Sequence, residues 1–308
     1  MDNRQVYDII IIGGGPGGYT AALYGARAGL NTLLVEQLSV GGQMAQSHQI
    51  DNYPGFVEGI DGFTLGDNMR RQAERFGAKT LFGKVSRVHL EGAEKSVFLG
   101  NQELRARAVI FAAGANPRQL GLPEEEALMG RGVAYCAACD GMFYRNKTVV
   151  VVGGGNTAAA DALLLSRIAK KVILVHRRDS LRATKIYHEP LQNASNVEFR
   201  WNSAVTALHS GDKLTGIRIR DLQSGREEDI SCDGLFVSIG RKPATDLVKD
   251  QLFLDENGYV VAGEDTKTNI PGVFAVGDVR TKQLRQIVTA VADGAVAVHQ
   301  AEEYLENN

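Results

Sequence analysis

The chain has 308 residues, enough for about two domains that each bury a core of their own. Its 34 Lys+Arg against 36 Asp+Glu leave a net charge of −2, which calls for neither nucleic acid nor an anionic membrane as partner. Three cysteines are too few for a secreted disulfide framework, and no basic then long apolar leader marks a signal peptide or membrane span, so a cytoplasmic protein is expected.

The first element in chain order is DIIIIGGGPGG (8–18), a short apolar strand running into Gly-x-Gly-x-x-Gly at Gly13, Gly15 and Gly18. Glycine is required where the chain turns, where backbone approaches a pyrophosphate, and where the following helix packs on the strand. An Ala/Leu-rich helix is expected over 18–28, its N-terminus offering free N–H groups to phosphates. The strand TLLVE (32–36) then ends on Glu36, whose carboxylate can accept hydrogen bonds from ribose hydroxyls.

Next comes Cys136-Ala137-Ala138-Cys139. A pair at this spacing can close into a disulfide and open again. Half of a zinc site has the same spacing, but zinc needs two more ligands, and Cys232 has no Cys or His beside it. A redox dithiol is expected, and no metal.

The strand–turn–helix unit then returns at an offset of 153 − 13 = 140 residues. TVVVVGGGNTA (148–158) carries Gly153 and Gly155 with alanine at the third fingerprint position, and Asn156, Thr157 and Ala158 open a helix expected over 156–168. VILVH (172–176) overlays TLLVE, so His176, Arg177 and Arg178 stand where the first copy has Glu36, with Arg182 one helical turn on. These guanidiniums would grip a 2′-phosphate, so the second copy is expected to prefer NADPH to NADH. The competing reading is a solvated basic patch at a strand end. One glycine turn is weak evidence; two, each between strand and helix, predict doubly wound α/β sheets.

Toward the C-terminus, GVFAVGD (272–278) is a strand ending in Gly277-Asp278. The Asp278 carboxylate can bond the ribityl chain of FAD, although Gly-Asp alone also reads as a plain turn. Arg285, Gln286 and Ile287 open an Ala/Val-rich helix expected over 287–304. Its positive N-terminus would stabilise negative charge on a reduced flavin. A further echo links AVIFAAGANP (108–117) with GLFVSIGRKP (234–243), strands by which the chain would leave one sheet for the other. The expected architecture is therefore α/β with two Rossmann-like dinucleotide-binding domains, the NADPH domain (118–244) inserted into the FAD domain (1–117 and 245–308) on a two-stranded hinge.

Taken together, GGGPGG (13–18), GGQM (41–44), DNYPG (51–55), CAACDG (136–141), GGGNTA (153–158), HRRDSLRA (176–183) and GVFAVGDV with LRQI (272–287) span nearly the whole chain. In these motifs and their order the chain resembles the low-molecular-weight, bacterial-type thioredoxin reductases. The resemblance implies NADPH-dependent reduction of thioredoxin through FAD and the cysteine pair, by a homodimer. Because the dithiol and the nicotinamide site would share the inserted domain yet both must reach one flavin, domain rotation between half-reactions is expected. It implies flavin contacts from Gly42, Gln43 and Asn52. It further implies that Cys139 faces the flavin, that Cys136 attacks thioredoxin's disulfide, and that Asp140 exchanges protons with the thiols. The alternative is a reductase of another small disulfide carrier, glutaredoxin-like or in a peroxiredoxin system. Arg241 reads equally as a cofactor contact or a solvated charge. Cys232, at an expected strand start, reads as packing. His48, His89, His188, His209 and His299 show no paired spacing, so none is expected as ligand or base.

Overall fold

A computed structural model of the chain describes residues 5–37, 40–47 and 49–308; His48 lies outside them. The chain opens with β1 (Val6–Ile12), α1 (Pro16–Arg27), β2 (Thr32–Glu36), α2 (Gly62–Arg75) and β3 (Lys79–Phe82). It continues through β4 (Arg87–His89), β5 (Lys95–Leu99), β6 (Gln102–Phe111) and β7 (Ala115–Pro117). Then come β8 (Val133–Ala134), α3 (Ala137–Asp140), β9 (Thr148–Val152), α4 (Asn156–Ser166), β10 (Lys171–Val175), α5 (His188–Asn193) and β11 (Val197–Arg200). The last elements are β12 (Ser203–Ser210), β13 (Leu214–Asp221), β14 (Glu227–Ser231), β15 (Gly234–Val237), β16 (Arg241–Pro243), β17 (Val273–Ala275) and α6 (Ile287–Asn307). Two compact units result, one of Met1–Asn116 with Lys242–Asn308, the other of Pro117–Arg241.

In the first unit, β3-β2-β1-β6 run side by side in parallel, β17 extends the parallel part beside β6, and β5-β4 add an antiparallel edge. The second unit repeats the parallel core as β11-β10-β9-β15-β8. Both sheets are α/β layers of the Rossmann-like kind expected from the sequence. The 140-residue repeat is realised in register: Ile9 pairs with Thr32 in one unit, and Val149 with Val172 in the other. The second echo behaves alike, because Ile9 also pairs with Ala108 and Val149 with Gly234.

Strands buried on both faces explain the unbroken apolar runs. Ile10 and Ile12 enter one core of the first unit while Ile9 and Ile11 enter the other. Val149 and Val151 are parted from Val150 and Val152 in the same way. Helix α6 closes on α1 through glycine: a β-carbon on Gly294 would overlap the Gly17 carbonyl oxygen.

The chain crosses between the units within β7 and β16, which pair with each other. The crossing is symmetric. The Arg118 N–H donates to Gly240 O, and the Ala244 N–H to Gly114 O, both at 3.0 Å. The second unit also carries an antiparallel sheet, β12-β13-β14, which the motif reading did not anticipate. Its alternation is amphipathic: Ile217, Ile219 and Ile230 are buried, while Arg218 and Arg220 pair outside with Asp229 and Glu227. Cys232 falls just past the end of β14 instead of at a strand start, and is buried there.

Gly294→Val should lower the urea midpoint by the equivalent of about 1–3 kcal/mol, because backbone, not a pliable side chain, blocks the new methyls. Gly211→Val, with nothing within 4 Å of its β-carbon, should stay within about 0.5 kcal/mol. Equal effects at the two positions would contradict this account of the α1–α6 contact.

Candidate active site

The candidate site residues gather at separate features, two in the first unit and the rest in the second. The glycine turn after β1 is shaped by close approach. Gly13 has φ +109°, and a β-carbon there would lie 2.5 Å from Ala112 O. A β-carbon on Gly18 would overlap Gly13 O, so glycine alone lets α1 start directly behind the strand. Among the described residues Gly15 meets nothing within 4 Å, and it caps α1 with no side-chain acceptor. An open cradle over an uncapped helix N-terminus fits a pyrophosphate. Glu36, at the end of β2, accepts the Gly14 N–H at 2.5 Å. Gly41 donates to Gly14 O at 2.9 Å, and a β-carbon on Gly42 would stand 3.3 Å from Gly15 Cα, so the 41–42 segment lies on the turn.

The second feature is the entry to α6. Gln286 caps this helix through a reciprocal capping box with Thr289. It also accepts from Asn52 Nδ2 at 3.0 Å, joining positions 234 apart in sequence. Gln43 Nε2 donates to Asn116 Oδ1 at 2.6 Å. Arg285 donates to Asp278 O at 3.4 Å and Arg280 O at 3.2 Å, and its guanidinium lies 4.1 Å from the Tyr259 ring centre. Ile287 opens the helix, and Asp278 sits in the turn just after β17. The first unit therefore holds every residue expected at FAD.

The second unit supplies the other turn and the cysteines. Gly153 has φ +148°, and a β-carbon there would overlap Ser238 O. Gly155, like Gly15, meets nothing within 4 Å among the described residues and caps its helix, α4, without a side chain. Asn156, Thr157 and Ala158 form the first turn of α4, Ala158 fully buried. The segment after β10 folds back over the turn: Arg182 N–H donates to Gly154 O at 2.7 Å, and Thr184 N–H to Asn156 Oδ1 at 2.8 Å. That return carries the exposed Arg182 to the turn, and the exposed Arg177 and Arg178 directly follow His176 at the end of β10.

His176 packs onto Gly154 so tightly that a β-carbon there would overlap its ring. It is 4 % exposed, and its Nε2 has no hydrogen-bond partner among the described residues. Burial, then the charges of Arg182, Arg178 and Arg177, push its pKa below the ordinary histidine value, so the ring is neutral at neutral pH. A neutral ring adds no positive charge to the three guanidiniums.

Cys136 and Cys139 are disulfide-bonded, both partly exposed, and Asp140 follows at the end of α3. The Cys139 N–H points at Cys136 Sγ at 3.2 Å. The segment leading to them is anchored from behind. Glu125, 2 % exposed, accepts Leu120 N at 2.9 Å, Gly121 N at 2.8 Å and the Tyr135 hydroxyl at 2.8 Å. Among the described residues no cluster of three His, Cys, Asp or Glu could hold a metal ion.

The family model for pyridine nucleotide-disulphide oxidoreductases matches residues 7–294. The chain is 48% identical over 304 residues to a thioredoxin reductase of Streptomyces clavuligerus, covering 98% of this chain and 94% of that one. A thioredoxin reductase of Mycolicibacterium smegmatis is 46% identical, with 98% of each chain covered. The chain belongs to the thioredoxin reductase family. The solved thioredoxin reductase from Streptococcus pyogenes MGAS5005 matches with a TM-score of 0.91 at 42% identity, covering 98% of this chain and 99% of that one. Membership of the thioredoxin reductase family makes the chain an oxidoreductase and implies use of a flavin and a pyridine nucleotide. No helix among the described residues is long and apolar enough to cross a membrane.

Sequence reasoning missed Glu125, Asn116 and the buried charges Arg280, Lys282 and Asp293. The last had a signal. Asp293 falls in the stripe Ala290, Gly294, Ala297, Val298 that α6 buries, and a carboxylate there demands a buried partner.

Cys232 is a different kind of thiol. Burial, then the neighbouring Asp233 charge, push its pKa up to about 12, so at pH 8 it is protonated and shielded. After reduction, the native protein should show two fast thiols toward an aromatic disulfide reagent at pH 8, and a third only in denaturant. Three fast thiols in the native protein would contradict the assignment.

Proposed function

We propose that the chain reduces the disulfide of a thioredoxin with NADPH, using FAD held by the first unit and the Cys136–Cys139 pair of the second. The observation that carries this reading is the closed disulfide on the same unit as the basic nucleotide turn. Thioredoxin is the client that the curated relatives' name gives for them.

Gly13, Gly15 and Gly18 would let the FAD pyrophosphate reach the N–H groups of α1, with Glu36 at the adenosine ribose. Gly42, Gln43, Asn52, Asp278, Arg285, Gln286 and Ile287 would surround the rest of the cofactor. Bound there, the flavin supplies a two-electron carrier between nicotinamide and sulfur. Gly153, Gly155, Asn156, Thr157 and Ala158 would take the NADPH pyrophosphate, and Arg177, Arg178 and Arg182, beside a neutral His176, its 2′-phosphate.

At sulfur the roles divide. The Cys136 thiolate attacks thioredoxin's disulfide, forming one mixed disulfide and releasing one thioredoxin thiolate. Cys139 then attacks Cys136, freeing the second thioredoxin thiol and restoring the internal bond. Asp140, adjacent in sequence, would hold or deliver the proton that these steps exchange. Because the cysteines and the NADPH turn share one unit, the reading requires that unit to swivel on β7 and β16, presenting each in turn. A cytoplasmic homodimer completes the proposal.

Steady-state assay with NADPH and oxidised thioredoxin tests it. Cys139→Ser should lower turnover at least about a hundredfold while flavin binding persists. Arg177→Ala and Arg178→Ala should each raise KM for NADPH about tenfold or more and leave NADH nearly unaffected, since each removes a charge-assisted bond to the 2′-phosphate. Full thioredoxin turnover in Cys139→Ser, or equal losses with both nucleotides, would overturn the corresponding assignment.

A further inference from the structure

Asp293 lies in the apolar stripe of α6 at 6 % exposure, and no nucleotide motif accounts for it. It accepts four hydrogen bonds. The Gly277 N–H reaches Oδ2 at 2.8 Å, Arg280 Nε and Nη2 reach the two oxygens at 3.0 and 2.7 Å, and Lys282 Nζ reaches Oδ2 at 2.7 Å. The Arg280 and Lys282 side chains are 2% and 5% exposed. Burial alone would raise the Asp293 pKa, but the bonds from Arg280 and Lys282 outweigh it and hold the carboxyl below its usual range.

The network's place is specific. Gly277, with φ +71°, begins the turn that carries Asp278. Lys282 Nζ also donates to the carbonyl of Thr289, in the first turn of α6, at 3.3 Å. One carboxylate thus ties the Gly-Asp turn to the entry of α6. The charges do not cancel. Two buried cations against one buried anion leave one positive charge (2 − 1 = 1). Glu264 also stands 4.0 Å from Arg280, but it is 98% exposed, and water screens it.

We propose that Asp293, Arg280 and Lys282 are positioning residues for the flavin: Asp293 fixes the Gly277–Asp278 turn against α6, and the surplus positive charge adds to that helix's N-terminus in favouring the reduced flavin. The inference rests on the assignment of FAD to the first unit made above. A bidentate arginine suits a rigid joint, and an ammonium beside it supplies a point charge without further geometry.

The test compares FAD-loaded wild type, Lys282→Met, Lys282→Arg and Asp293→Asn by redox titration of the flavin, with hydrogen exchange at the Gly277 amide as a second readout. Lys282→Met should lower the flavin midpoint by about 30 mV, a tenfold change in its two-electron equilibrium, and Lys282→Arg should restore it. Asp293→Asn should shift the midpoint upward by a similar amount and speed Gly277 exchange at least about tenfold. If Asp293→Asn does not fold, the sign of the Lys282→Met shift decides alone. An unchanged or raised midpoint in Lys282→Met, or unaltered Gly277 exchange in a folded Asp293→Asn, overturns the proposal. A wild-type chain that takes up no flavin defeats the FAD assignment itself, an outcome distinct from an unshifted midpoint in loaded variants.

Discussion

A helix must begin directly behind the end of a strand for either unit to hold a nucleotide phosphate. In the first unit this is a matter of one missing methyl, because a β-carbon on Gly18 would overlap the Gly13 carbonyl oxygen. In the second, Gly153 lies against the Ser238 carbonyl, and the small Ala158 side chain takes the packing position. Both arrangements leave the middle glycine, Gly15 or Gly155, with no described residue within 4 Å of its β-carbon position, at a helix start without a side-chain cap. Close packing behind the turn and exposed donors in front of it are two results of one geometry.

On that shared frame, the residue ending the second strand sets the chemistry. Glu36 uses a carboxylate oxygen to hold the Gly14 N–H, whereas His176 lays an uncharged ring on Gly154 and leaves the charge to three exposed arginines. The first arrangement presents negative charge, as ribose hydroxyls would require, and the second presents positive charge, as a phosphate would. Two copies paired in the same register thus diverge in the way that two different nucleotide cofactors would require.

How much of this was legible follows from where each signal lies in the chain. The 140-residue repeat could be read because each copy is local: strand, glycines, helix and second strand fall within about thirty residues, as a βαβ unit requires. The cysteine pair was legible for the same reason. The antiparallel β12-β13-β14 sheet left its mark as Ile217 and Ile219 alternating with Arg218 and Arg220, but no motif drew attention to it. What could not be read were partners brought together by the tertiary fold. Asn52 meets Gln286, and Gln43 meets Asn116, through loops whose sequences show neither partner. Glu125 and the Arg280–Asp293–Lys282 cluster are satisfied by backbone and side chains whose approach depends on packing.

The proposed relay requires one polypeptide to store electrons both on a flavin and on the Cys136–Cys139 pair. Anaerobic reductive titration of the purified, FAD-loaded chain measures this directly. Uptake of four electrons per chain is expected, two bleaching the flavin and two opening the disulfide. Uptake of only two, with the disulfide intact at the end point, would contradict it.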